Sequence, residues 1–237
     1  MRKLKRWEMT ALLGLAVTVG LLALPAIATA RRAAHRASCA NNMRQLGLVM
    51  KMFAGENGGA FPPLSRAPGN WMMDVVPLHP EYLTDLSILR CPGSPDYDAR
   101  AFTWADSGDT LPMCVSGRYY NYTSYAISTD EQAGALWAAR QTWSPEAFYD
   151  RDIELPRPTW TRSDGRGVSG MPVLWDRVTP DLADMPHRPL GINVLHMDGS
   201  VLFVPYSPLN NSSNFPATRL AAITFGADVP RMPPGCR

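Results

Sequence analysis

From Met9 to Ala30 the chain carries no charged residue. A helix over that run, rising about 1.5 Å per residue, is long enough to cross a hydrocarbon core of about 30 Å. Arg2, Lys3, Lys5 and Arg6 precede it, and Arg31, Arg32 and Arg36 follow. The leading basic cluster favours a cytoplasmic N-terminus. Two readings fit the pattern. A cleaved signal peptide has such a basic head and would use Ala28-Thr29-Ala30 as its cleavage site. A retained anchor accounts for an apolar run longer than the roughly 7–15 residues of a signal core. Both readings put the remaining residues outside the cytoplasm, where disulfides persist.

The residues after Ala30 favour retention. Cys39, Met43, Leu46, Met50 and Phe53 recur at alternating spacings of four and three, which places them on one helical stripe. Arg36, Asn42, Arg44 and Lys51 lie mostly off it. Helix-stopping residues arrive only at Gly55, Asn57, Gly58 and Gly59. One helix of about fifty residues is therefore expected, kinked at Pro25. Its first part, residues 1–30, holds the basic head and the membrane segment. Residues 31–57 form its amphipathic continuation.

Residues 58–237 read as a loop-rich β domain. The chain's 22 prolines lie mostly outside recognisable helices, which suits short strands and long connections. The tyrosine-rich segment RYYNYTSYAI, MPVLWDR, INVLH and SVLFV are strand candidates, and TRLAAITFGA is a short helix. Residues 129–169 read as an insertion between strands. Helix first, then an antiparallel sheet, gives an α+β architecture. A formal net charge of +2 supplies no field for nucleic acid.

Several segments carry a family resemblance. The basic head, the apolar run ending LALPA, and RRAAHRASCANNMRQLGLVMKMFAGENGGAFPP resemble bacterial prepilin-like proteins of the type II secretion pseudopilin group. The closer resemblance is to the subgroup with a DUF1559-type domain and an H-x9-DG signature. The L-R-C-P segment at Leu89–Pro92, the tyrosine-rich strand, the W-D-R strand at Val173–Arg177 and the final N-V-L-x-x-D-G hairpin follow in the family's order. The resemblance implies a pilin-like fold and a single-pass protein of the bacterial inner membrane, with its C-terminal domain periplasmic or extracellular. It also implies self-association, or association with other pilin-like subunits, through the N-terminal helix. In such assemblies Glu8 pairs with a neighbouring subunit's N-terminal amine. The processing junction would be Lys3-Leu4, where lysine replaces the family's glycine; Lys5 and Arg6 stand where the family is apolar. His187 and Asp198 enclose ten residues rather than nine.

The four cysteines, Cys39, Cys91, Cys114 and Cys236, include no C-x-x-C pair, which argues against a zinc ribbon or thioredoxin-type motif. Three connectivities are open to them. A bond from Cys39 to Cys91 would staple helix to sheet and leave Cys114 and Cys236 to pair.

The stretch HRPLGINVLHMDGSVLFV raises the question of chemistry. Asp198-Gly199 between alternating apolar runs signals a hairpin, with Gly199 at positive φ and His196 as an exposed or capping strand residue. His187, Asp198 and Asp176 form neither the oxygen-rich shell of a calcium site nor a full zinc ligand set. They are expected to be a structural network with no metal, cofactor or catalytic role. The competing enzyme reading is a periplasmic metal-dependent enzyme or hydrolase using His187 and Asp198. No G-x-S-x-G accompanies them, and neither GENGG nor SDGRG has phosphate-loop spacing. Asn121-Tyr122-Thr123 fits a glycosylation sequon.

Overall fold

The computed structural model describes residues 6–67, 69–123, 127–141, 170–209, 214–227 and 232–237. Lys3-Leu4 and the first basic residues lie outside them, as do 124–126 of the tyrosine-rich segment and 142–169 of the expected insertion. Helix α1 runs without interruption over Arg6–Glu56, with Pro25 inside it. Its two halves differ in what surrounds them. Leu13, Leu15, Leu21, Leu22 and Leu24 are exposed, whereas Cys39, Met43, Leu46 and Met50 are fully buried. Phe53 completes the stripe at half-burial and meets Tyr82 edge to face at 5.5 Å. The Tyr82 hydroxyl donates to Glu56, and that carboxylate's hold on the proton pushes the phenol up to about 12.

The sheet has four antiparallel strands in chain order: β1 (Tyr120–Tyr122), β2 (Pro172–Asp176), β3 (Gly191–His196) and β4 (Val201–Pro205). Leu174 pairs with Leu195 and Trp175 with Val194, so alternate residues of β2 and β3 divide between two faces. One face takes α1: Leu195 lies against Gly47. Trp175, on the other face, packs on Phe215 and Phe225 at 5.9 and 5.5 Å, and Phe225 on Trp71 at 5.0 Å. Phe225 belongs to helix α3 (Arg219–Gly226). The sheet is thus covered on both faces, and every residue of β2 and β3 is buried. This corrects the expectation that His196 is exposed: it is 5% accessible, because the layer containing α3 closes the face that alternation alone would leave to solvent.

Helix α2 (Asp130–Gln141) lies between β1 and β2, opening the segment read as an insertion between strands, and it packs against α3 and buries Ala133 and Leu136. The Thr218 hydroxyl joins the two helices, donating to Asp130 Oδ1 while accepting from the Ala221 N–H as the N-cap of α3. Burial raises the Asp130 carboxyl, with that hydroxyl opposing the shift. The sequon fails on burial: Asn121 is 1% accessible, and its side chain bonds the Phe225 carbonyl and the Val178 N–H.

The hairpin between β3 and β4 is a three-residue loop. The Gly199 N–H donates to the His196 carbonyl and the His196 N–H to the Ser200 carbonyl, both at 2.8 Å, with Gly199 at φ 91°. Asp198 Oδ1 accepts from the Ser200 N–H. Burial alone would raise Asp198, but the Ser200 hydrogen bonds and the His196 and Lys51 charges outweigh it and hold the carboxyl below its ordinary value.

Gly199→Val should lower stability by about 1–3 kcal/mol in urea melts, since a β-branched residue at positive φ is strained; an unchanged midpoint refutes the turn. Asp198, depressed in the folded state, contributes stability that is fully present above its unfolded value of about 3.9 and is lost as pH falls through its folded value. Asp198→Ala should therefore flatten the acid limb of a stability–pH profile below about pH 4. An acid limb identical to the wild type would contradict this.

Candidate functional site

Segments far apart in sequence meet where α1 first enters the domain. Cys39 of α1 is bonded to Cys91, which follows a single 3-10 turn over Leu86–Leu89, with the Cα atoms 5.0 Å apart. Asn42, one turn along the same helix, donates to the Arg90 carbonyl at 3.0 Å and fixes the strand-like backbone that carries Cys91. The Gly93 N–H points at Cys39 Sγ from 3.4 Å. Asp176 ends β2 and directs its carboxylate to the α1 face. His187, in the loop before β3, places Nε2 at 2.8 Å from Asp176 Oδ2 and 3.9 Å from Cys91 Sγ. Gly93 is required here by close approach: a Cβ at that position would stand 2.5 Å from the imidazole. All four functional side chains are buried.

Asp176 Oδ2 accepts from the Asn193 N–H at 2.7 Å and faces His187 Nε2. The Asn193 side-chain nitrogen lies 3.1 Å from Nε2 and donates to the Arg36 carbonyl at 3.3 Å. Asp176 Oδ1 is buried with no hydrogen-bond partner among the described residues. Tyr120, opposite Asp176 in the sheet, is raised well above the usual phenol range by burial and then by the Asp176 charge. This set contains a carboxylate and an imidazole, two of the groups of a nucleophilic triad.

The structure joins His187 to Asp176 and separates both from Asp198. The His187 ring lies beside Asn193 in the middle of β3, while Asp198 lies beyond the end of that strand, in the turn that follows His196. Asp198 is engaged with its own turn, so the expected network divides in two. Cys114 and Cys236 form a second disulfide away from this site, where backbone bonds tie Arg237 to Phe102 and Thr103. Glu8 stands in the first turn of α1. Sequence reasoning passed over Asn42, Gly93 and Asn193. Asn42 and Asn193 sit inside segments singled out for other reasons, RRAAHRASCANNMRQLGLVMKMFAGENGGAFPP and N-V-L-x-x-D-G, Gly93 directly follows L-R-C-P, and nothing in their spacing announces that they converge.

No protein-family model, curated protein or solved structure matches the chain.

Removing one member of a buried hydrogen-bonded pair leaves an unsatisfied polar group and costs about 1–3 kcal/mol. His187→Ala and Asp176→Ala should each lose that order of stability in the oxidised protein. The double variant should lose less than the sum by about 1–3 kcal/mol. Additive losses in urea denaturation would show the pair is not coupled.

Proposed function

We propose that this chain is a membrane-anchored, pilin-like assembly protein whose role is structural rather than catalytic. The observation that carries the reading is the division of α1 into an exposed apolar half and a half buried against a disulfide-bonded domain. The apolar half is long enough to cross a bilayer. Its polar side chains suit that solvent: Thr10, Thr18 and Thr29 donate to the carbonyls of Trp7, Gly14 and Pro25 at 2.9 Å, leaving no hydroxyl proton to be solvated by lipid.

The mechanism follows from solvent exchange. Stored in the bilayer, the helix buries its leucines in lipid. Drawn into a bundle of like helices, it buries them against its neighbours, and the sheet domains face outward. Glu8 would meet the N-terminal amine of an adjoining subunit within the bundle, where an unpaired charge is costly.

A second reading has its own support. No described residue before Cys39 is buried in the domain core. Cleavage after Ala30 would leave that core whole and release a secreted binding domain.

Intact mass analysis and fractionation of the protein from its native host distinguish the two. A membrane-bound chain beginning at Met1 or Leu4 is expected; a soluble periplasmic chain beginning at Arg31 would overturn the anchor. A photo-crosslinking residue at Leu15 should then yield multimers of the chain, and exclusively monomeric product would remove the assembly role.

A further inference from the structure

We propose that Cys39, Cys91, His187 and Asp176 form a second, reduced state of the site that binds one zinc-class divalent cation, mutually exclusive with the disulfide. This goes beyond the assembly reading and does not depend on it. The ligand atoms of the four residues all lie within 4.8 Å of one another, and every one of them is buried. Two thiolates, an imidazole and a carboxylate make a complete tetrahedral donor set for zinc. The required movements are small. With Zn–S near 2.3 Å, tetrahedral sulfurs stand about 3.8 Å apart, so the two sulfurs move apart by about 1.7 Å from a disulfide's bonding distance. The Nε2-to-Sγ distance of 3.9 Å already approaches the roughly 3.5 Å of a shared ion.

The surroundings point to a cation independently of the ligand count. Asp176 Oδ1 is buried without a partner among the described residues, an acceptor that a metal would satisfy. The Asn193 N–H holds the other carboxylate oxygen, and the Gly93 N–H faces Cys39 Sγ, the outer contacts that orient ligands and stabilise thiolate. His187 and Gly93 also line a cavity of about 190 Å³ shared with Arg32, His35 and Arg188. The guanidinium groups of Arg32 and Arg188 offset the net negative charge of an ion held by two thiolates and a carboxylate.

A dithiol supplies two electrons and two protons, becoming a disulfide, while the Cys39–Cys91 bond breaks to two thiols. The incoming Zn²⁺ displaces both thiol protons to solvent, and His187 ligates through Nε2 as the neutral imidazole, with its one ring proton on Nδ1.

The test uses the full chain in detergent. One sample stays oxidised. The other is reduced anaerobically with a water-soluble phosphine, which takes oxygen from water to become phosphine oxide. Both are titrated with Zn²⁺ and with Co²⁺. One equivalent is expected on the reduced chain alone, with the cobalt form showing tetrahedral d–d bands and thiolate charge transfer. Zinc should slow alkylation of Cys39 and Cys91 at least tenfold and leave Cys114 and Cys236 unaffected, a comparison made within one molecule that needs no variant. His187→Ala should weaken zinc binding by 10- to 100-fold or more. Failure of the reduced wild-type chain to hold metal overturns the proposal. So does equal binding by the oxidised chain, or zinc protection spread evenly over all four cysteines.

Discussion

The bond between Cys39 and Cys91 fixes where along a 51-residue helix the domain begins. An amphipathic stripe alone sets which face of α1 meets the sheet. It leaves the register open, because a shift of one or two turns still presents apolar residues. Closing a loop of 52 residues at Cys39 removes that freedom, and in the chain-entropy model such a closure is worth about 4 kcal/mol. Asn42 acts in the same place, gripping the Arg90 carbonyl one turn further on. Met43, Leu46 and Met50 then face β3 as a consequence of that anchoring.

The second covalent closure works at the other end of the chain. Cys236 bonds Cys114, and the backbone of Arg237 pairs with residues 102–103. The two closures hold regions with little regular structure. Between Glu56 and Tyr120 the described chain has two short 3-10 turns and isolated bridges. Such segments bury Trp71, Phe61 and Phe102 but make few ladder hydrogen bonds, so cross-links that restrict the unfolded chain offset entropy that a ladder would otherwise have to repay.

The elements with a strong period were legible. The stripe from Cys39 to Phe53, the alternation of INVLH and SVLFV, and Asp198-Gly199 all describe local geometry, and local geometry leaves its mark within a few residues. What was not legible is the second layer. Nothing in EQAGALWAARQ says that Ala133 and Leu136 pack on α3, because small residues give a weak periodic signal. That missing layer is why His196 was expected to be exposed. The site shows the same limit. The sequence names His187, Asp176 and Asp198 together, but β3 runs between His187 and Asp198, and the contact of His187 with Asp176 of β2 depends on an antiparallel register that a single sequence does not disclose.

The placement of the site also bears on the helix that leaves it. From Cys39, the first residue of α1 in the core, back to Ala30 is about 14 Å of helix. An anchored domain would therefore stand close to the bilayer surface. Arg36 stacks on Phe203 at 4.7 Å, and Arg188 donates both guanidinium nitrogens to the Leu182 carbonyl. Together with Arg32 they line the cavity of about 220 Å³ where α1 emerges from the loop before β3. In an anchored domain these cations would stand at headgroup depth and oppose sinking of the domain edge into hydrocarbon, through side chains pinned by the folded domain rather than by the helix alone. The same loop supplies His187 to the buried cluster. Its position is thus set from two sides, by the imidazole inside and by Arg188 outside, and the geometry of the Cys39–Cys91 bond is coupled to the surface from which the helix departs.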